Sequence, residues 1–222
     1  MSRERFRDRR AAGRELAEVL RERSWRADLL VLALPRGGVP VAAEVARDLS
    51  AELDVLVARK LGHPAQPEVA MGAIAGIGDT VEAVENPAIA DPRAMGAVRA
   101  SEEAELRRRQ RAYRGERPPV RIAGRSVLLV DDGLATGATM RAAVAAARRE
   151  DPVELVVAVP VALGATARAL RHEADEVVCV WDAPGLWAVG SAYERFDQTS
   201  DGEVRALLAE AWEREGTISP ET

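Results

Sequence analysis

Residues 126–140 read Ser-Val-Leu-Leu-Val-Asp-Asp-Gly-Leu-Ala-Thr-Gly-Ala-Thr-Met. Val127 to Val130 form an apolar run without polar alternation, the pattern of a strand buried on both faces of a parallel sheet. Asp131 and Asp132 stand at its C-terminal end. Gly133 to Thr139 is then a loop of small residues that runs into Ala-rich helical sequence from Ala138 to Arg149. Ligands of open α/β sheets bind in the crevice beyond the carboxyl ends of the strands. A Gly/Thr loop leading into a helix N-terminus offers backbone N–H groups, hydroxyls and the positive end of the helix dipole to a phosphate. This loop has no cationic side chain, so its backbone would do the holding.

Two adjacent carboxylates repel a phosphate unless they face something else. Ribose hydroxyls fit, because an ionised Asp only accepts hydrogen bonds and a cis-diol donates two. A sugar phosphate therefore suits the stretch better than a bare nucleotide phosphate. Other phosphate motifs do not match: a Walker loop needs a Lys, and the dinucleotide fingerprint needs G-x-G-x-x-G, whereas Gly133 and Gly137 frame three other residues. An acidic Mg²⁺ pocket of the response-regulator kind pairs its acids too, but without a Thr-Gly-Ala-Thr turn behind them.

Outward from this stretch, the chain repeats the same grammar. Residues 8–23 predict an amphipathic helix with Asp8 as N-cap and Ala12, Leu16, Val19 and Leu20 as its apolar stripe. Leu29 to Leu34 predicts a buried strand, followed by Pro35-Arg36-Gly37-Gly38 and helical sequence from Val41 to Leu49. Arg36 is expected exposed on a tight turn, with Gly37 and Gly38 allowing backbone amides close to a ligand. Leu53 to Ala58 predicts a second strand, which would put Lys60 at a strand's C-terminal edge. Residues 62–79, rich in Gly, Pro and Ala, read as a loop able to cover a site, and His63 within it as a solvated residue. Thr80 to Val84 alternates like a strand, and Met95 to Arg114 is a charged helix whose Glu and Arg residues suit intrahelical pairs. Strands over 155–161 and 176–181 flank a helix over 166–173. Thr199 or Ser200 can cap a last helix from Asp201. Strands alternating with helices predict βαβ units and a parallel sheet. Trp187, in the loop after the last strand, reads either as a buried anchor or as a platform for a planar base.

Composition narrows the class. The chain has 222 residues, 47% hydrophobic and 30% charged, with a formal charge of −5. That is ordinary for a globular protein, and the negative balance does not favour nucleic acid as a partner. No apolar run approaches the ~20 residues of a membrane span. The N-terminus is charged without an apolar core behind it, unlike a signal peptide. The single cysteine, Cys179, sits in an apolar run and reads as packing rather than chemistry. These features place the expected location in the cytoplasm. Of the 31 basic residues only Lys60 is lysine, a bias consistent with an ammonium retained for its shape or titration.

The pattern of four apolar residues, two acids, a short spacer and Thr-Gly-x-Thr resembles the signature of the type I phosphoribosyltransferases. Here it stands as V-L-L-V-D-D-G-L-A-T-G-A-T, with one extra small residue before Thr136. The resemblance covers most of 29–61 and 125–197. It implies a Rossmann-like parallel-sheet α/β domain with a small hood, the core over about 25–61 and 120–181 and the hood over about 62–118 and 182–200. It implies a site for phosphoribosyl pyrophosphate, with Asp131 and Asp132 on the ribose hydroxyls and Ala135, Thr136, Gly137, Ala138 and Thr139 around the 5′-phosphate. The Arg36 loop with Gly37 and Gly38 would bind pyrophosphate, with a cis peptide expected between Pro35 and Arg36, and Lys60 would join it as a leaving-group stabiliser. Trp187-Ala188-Val189-Gly190 looks like the aromatic-Val-Gly closure of purine members, so Trp187 and Val189 would line the base pocket. Glu194 would be a magnesium-associated carboxylate acting through water. The implied activity is transfer of a phosphoribosyl group to a nitrogen acceptor, a nucleobase, with Mg²⁺ as cofactor and a homodimer as candidate assembly. The lysine with which 6-oxopurine enzymes read their base has no counterpart here. The alternative is a non-catalytic sensor of phosphoribosyl pyrophosphate or a nucleotide with the same pocket.

Overall fold

The computed structural model describes residues 3–26, 28–89 and 91–218. Its core is a five-stranded, all-parallel sheet in the order β2-β1-β6-β7-β8, formed by β1 (Leu30–Ala33), β2 (Glu52–Val55), β6 (Ser126–Val130), β7 (Glu154–Ala162) and β8 (Glu176–Asp182). The expected α/β class and parallel sheet are thus present. Every residue of β1 and β6 is buried. Alternate side chains serve two cores: Val31, Ala33, Leu128 and Val130 pack toward α1 (Arg9–Arg21), α2 (Gly38–Asp48) and α6 (Asp201–Ile218), while Leu30, Leu32, Val127 and Leu129 pack toward α4 (Ala138–Arg149) and α5 (Thr166–Leu170). Burial on both faces is why these strands read as continuous apolar runs.

Helix α1 starts where Asp8 accepts the Ala11 amide at 2.8 Å. Its buried face is Ala12, Gly13, Leu16, Ala17 and Leu20, whereas Val19, expected in the stripe, is 43% exposed. Gly13 lets the helix ride close on α2, since a Cβ there would lie 2.7 Å from the Val41 carbonyl. Helix α2 begins at Gly38, three residues before the expected Val41.

The hood differs most from expectation. The chain leaves the parallel sheet after Val55 and enters an antiparallel sheet of β3 (Val57–His63), β4 (Gln66–Ile77) and β5 (Thr80–Glu85), in the order β3-β4-β5. Residues 53–58 are therefore the end of one strand and the start of another. Most of 62–79 is strand β4 rather than a covering loop. The cause is packing. Ala73, Ala75 and Ile77 share a core with the Ala-rich face of α4, including Ala142, Ala143 and Ala146, while Leu61, Met71 and Ile74 share one with Leu106 of α3 (Pro92–Arg114). A strand covered on both faces, one by a helix of small residues, needs no alternating pattern.

The hood is fastened to the core by a buried ion pair. Arg114, at the end of α3, donates Nε to both Asp54 oxygens at 3.0 and 3.1 Å and Nη2 to the Val55 carbonyl at 2.8 Å, with side-chain exposures of 4% and 2%. Along α3, Glu103–Arg107, Glu105–Arg108 and Glu105–Arg109 pair as the charge pattern predicts. Two arginines hold the Glu105 carboxyl down at about 2. Among the described residues no helix is long and apolar enough to cross a membrane.

Candidate active site

The loops after β1 and β6 meet beyond the carboxyl ends of the strands. Val130, the last residue of β6, accepts the Leu34 amide at 2.9 Å, so the two loops leave the sheet side by side. The Pro35–Arg36 peptide between them and α2 is cis, as the family resemblance implies. Gly37 and Gly38 then pass directly against the acid pair. A Cβ on Gly37 would stand 2.0 Å from Oδ2 of Asp132, and one on Gly38 would stand 2.7 Å from the Val130 carbonyl and 2.9 Å from Cα of Asp131. At Gly38 a side chain would meet backbone, whereas at Gly37 it would meet the Asp132 carboxylate and displace it. The Gly38 amide donates to the Leu34 carbonyl at 3.0 Å within the turn into α2. Gly38 thereby also serves the close packing of this turn on the end of β6.

The acid pair follows β6 and turns into the small-residue loop. Oδ1 of Asp131 accepts the amide of Asp132 at 2.8 Å. Leu134 then bridges to β7, donating to the Val161 carbonyl and accepting from the Leu163 amide. Gly137 adopts the left-handed conformation at φ 75° and opens α4, a position that favours glycine. The loop is braced from outside, where the Thr166 hydroxyl donates to the Ala135 carbonyl at 2.7 Å. Ala135 and Thr136 are exposed, Ala138 and Thr139 half-buried.

Burial raises the Asp131 carboxyl well above the usual range, and the neighbouring Asp132 charge adds to it. Burial also raises Asp132, with Arg9 opposing. Strongly perturbed carboxyls of this kind cluster at functional sites.

Arg9 is the residue that sequence reasoning missed. Its Nε donates to Oδ2 of Asp132 at 2.7 Å, its Nη1 donates to the Asp197 carbonyl at 2.6 Å, and its guanidinium lies 3.8 Å from the centre of the Phe196 ring. Phe6 and Tyr193 were missed with it. The segment before α1 pairs in parallel with residues 192–195, through Phe6 N to Ala192 O at 2.9 Å and Glu194 N to Phe6 O at 2.8 Å. The Tyr193 hydroxyl donates to the Asp132 carbonyl at 2.5 Å. Burial, with the Asp132 charge beside it, pushes that phenol up. The N-terminal segment therefore belongs to the wall of the site, which the sequence reading assigns to 62–118 and 182–200 alone. An arginine-rich opening with one phenylalanine was the available signal, but nothing in it separates Arg9 from Arg7 or Arg10.

The remaining predicted residues take several different places. Arg36 stands 3.8 Å from Asp201, which also accepts the Tyr113 hydroxyl at 2.8 Å. Lys60 lies within β3, in the hood, and not at the end of a parallel strand. It nonetheless lines a cavity of about 480 Å³ together with Thr136, Ala138 and Arg141, so the hood lysine and the loop before α4 share one space. Val189 sits against the loop after β6, where a Cβ on Gly133 would be 2.5 Å from its Cγ1. Trp187 is 97% exposed, which removes the buried-anchor reading. Glu194 is exposed, with its backbone tied to Phe6. Cys179 is half-buried and its thiol is pushed up to about 11, mainly by burial, in keeping with packing rather than reactivity. Among the described residues no group of three or more His, Cys, Asp or Glu could hold a metal by itself.

Three comparisons bear on this geometry. A family model described as "Phosphoribosyl transferase domain" matches residues 3–193. A protein from two strains of Mycobacterium tuberculosis, provisionally named a phosphoribosyl transferase, is 47% identical over 208 residues; these cover 93% of this chain and 47% of the relative. The chain thus spans about half the length of the curated relatives it matches. Among solved structures, protein TT1426 of Thermus thermophilus is 44% identical, with a TM-score of 0.78 over 93% of this chain and 98% of that one.

Proposed function

The chain belongs to the phosphoribosyl transferase family, and from that premise we propose that it transfers the 5-phosphoribosyl group of phosphoribosyl pyrophosphate to a ring nitrogen of a nucleobase-like acceptor, releasing pyrophosphate. The observation that carries this reading is the convergence of Asp131 and Asp132 with Gly37 beyond the strand ends, beside the Gly137 turn into α4. Carboxylates facing a cis-diol and a helix N-terminus facing a phosphate are the two ends of one ribose 5-phosphate.

In the reaction, the acceptor nitrogen forms a bond to C1 of the ribose while the bond from C1 to the diphosphate oxygen breaks. The electron pair leaves with the diphosphate, and the acceptor's proton passes to solvent. Positive charge develops on the sugar ring and negative charge on the leaving group. Stabilisation of the leaving group by fixed donors and cations then matters most, a role for Arg36, the Gly37 amide and Lys60. Asp131 and Asp132 accept from the ribose hydroxyls, and Ala135 to Thr139 hold the 5′-phosphate. Trp187, already solvent-facing, offers a ring on which a planar base can stack, next to Val189.

Mg²⁺ fits the donor set as a guest of the substrate. It keeps several waters and binds mostly through substrate oxygens; of this chain's residues the exposed Glu194 would hold it through water. Bound there it would neutralise charge on the diphosphate.

The test is pyrophosphate release from phosphoribosyl pyrophosphate and Mg²⁺ across a panel of purine and pyrimidine bases. Base-dependent release that disappears in Asp131→Asn/Asp132→Asn is the expected result. Tight binding of phosphoribosyl pyrophosphate without turnover on any base would replace the enzyme with a sensor. Absence of binding would overturn both.

A further inference from the structure

We propose that Arg9 is the positioning residue of the acid pair: its guanidinium, clamped between the Phe196 ring and the Asp197 carbonyl, holds Asp132 by one oxygen and leaves the other to accept a ribose hydroxyl. The consequence for substrate rests on the transferase reading above. The structural half, a charge pair between α1 and the end of β6, does not.

The geometry is specific to an arginine. Nε reaches Oδ2 of Asp132 at 2.7 Å while Nη1 reaches the Asp197 carbonyl at 2.6 Å, so two edges of one planar group are used at once. The plane's face is taken by Phe196 at 3.8 Å. A lysine ammonium offers neither two directed edges nor a face to stack. The clamp is itself supported: Phe196 packs on Tyr193 at 4.9 Å, Tyr193 on Phe6 at 5.5 Å, and Phe6 against Trp181 of β8 at 6.2 Å. The arginines around it in the sequence are committed elsewhere, with Arg7 on Asp8 and Arg10 on Glu44. Side-chain exposures of 12% for Arg9 and 15% for Asp132 put the pair largely out of solvent.

The charge matters because of what faces Asp132. Asp131 adjoins it on the same loop, the Tyr193 hydroxyl comes from the segment after β8, and Gly37 brings no charge from the loop after β1. Arg9 is the cation that opposes burial at this carboxyl. Its guanidinium favours the ionised, hydrogen-bond-accepting form of Asp132. Without it, burial and the neighbouring carboxyl favour the protonated form, a donor facing a hydroxyl that must donate.

The test compares wild type with Arg9→Gln and Arg9→Lys in two measurements. The first is a carbon-13 NMR titration of the aspartate side chains in the ligand-free protein, with Asp132→Asn assigning the signal. The expected result is an upward move of the Asp131/Asp132 midpoints in Arg9→Gln, and a smaller one in Arg9→Lys. Unchanged midpoints in a folded Arg9→Gln would overturn the proposal. If Arg9→Gln does not fold, Phe196→Leu, which unseats the guanidinium without removing its charge, and Arg9→Lys give the same readout. The second is the dissociation constant of phosphoribosyl pyrophosphate against pH. In Arg9→Gln it should weaken roughly 10- to 100-fold near neutrality and recover as pH rises, and it should not weaken further when Asp132→Asn is already present. Additive effects of the two substitutions would refute a shared action. If wild type binds no phosphoribosyl pyrophosphate, the transferase reading fails and the NMR titration alone decides the fate of the Arg9 pair.

Discussion

Replacing Gly37 by alanine isolates the acid pair from the backbone that supports it. Gly37 has φ −62° and ψ −33°, right-handed values that alanine adopts without strain. The whole effect must then come from the added methyl. It would lie 2.0 Å from Oδ2 of Asp132, 2.7 Å from its Cγ and 3.3 Å from Nε of Arg9. The carboxylate has to retreat by about 1 Å or more to reach an ordinary contact. Arg9 cannot follow freely, because Phe196 and the Asp197 carbonyl hold it. One charge-assisted hydrogen bond is lost, about 1.5–3 kcal/mol, and the narrower unfolded ensemble returns about 0.4–1 kcal/mol. The net loss is about 1–2 kcal/mol, a fall in Tm of roughly 2–8 °C for a chain of this size. Binding suffers more in proportion. One misplaced acceptor for a ribose hydroxyl costs about 1.5–3 kcal/mol, or roughly a 10- to 150-fold weaker Kd for phosphoribosyl pyrophosphate. Isothermal titration with Mg²⁺ present measures the Kd, and calorimetric unfolding the Tm. Gly96→Ala, in a helix with open space around it, is the control, expected to bind normally and to gain up to about 1 kcal/mol of stability. Binding by Gly37→Ala within twofold of wild type, with an unchanged Tm, would refute the placement of Asp132 against this loop.

Asp131→Asn should stabilise the ligand-free protein while abolishing phosphoribosyl pyrophosphate binding. A carboxyl raised in the folded state binds more protons folded than unfolded, so its contribution to stability falls as pH climbs from the unfolded value of about 4 through the raised folded value. The variant's Tm should exceed that of wild type at pH 7.5 and match it near pH 4; equal Tm values at both would contradict the burial of this carboxylate. Arg114→Met leaves Asp54 charged and enclosed and should cost about 3–5 kcal/mol in urea unfolding, with much of the loss restored in Asp54→Leu/Arg114→Met; a single-variant cost below about 1 kcal/mol would remove the ion pair as the hood's fastening. Trp187→Ala should leave Tm unchanged, since the ring is 97% exposed, and should raise the KM of a nucleobase acceptor roughly 5- to 100-fold if stacking worth about 1–3 kcal/mol is lost. An unaltered KM would end its role as a base platform.

Residues 29–34 and 126–139 were legible because double burial leaves a run with no polar interruption, and because the loop behind the second run needs small residues at fixed places. The charged helix α3 and the Asp8 cap were legible for similarly local reasons. What failed was non-local. Strand β4 looks irregular because alanines and glycines facing α4 carry no contrast with its other face. The break between β2 and β3 at Leu56 has neither Gly nor Pro to announce it. Arg9 was hidden for a different reason: its partners are Asp132, Phe196 and Asp197, 123 to 188 residues away, and its neighbours in sequence are chemically the same. Trp187 leaves two readings open in the sequence, since a large ring in an Ala-Pro-Gly context suits an anchor or a platform, and only its 97% exposure separates them.

Lys60 carries the chain's one ε-amine, and it stands on the antiparallel hood beside a cavity that also touches Thr136. Apart from the amino terminus, every amine-directed reagent therefore has a single address on this chain, next to the loop that opens α4. An acylating or fluorescent label placed there reports on the space between hood and core without any engineered cysteine. Its rate of attachment becomes a gauge of whether that space is filled.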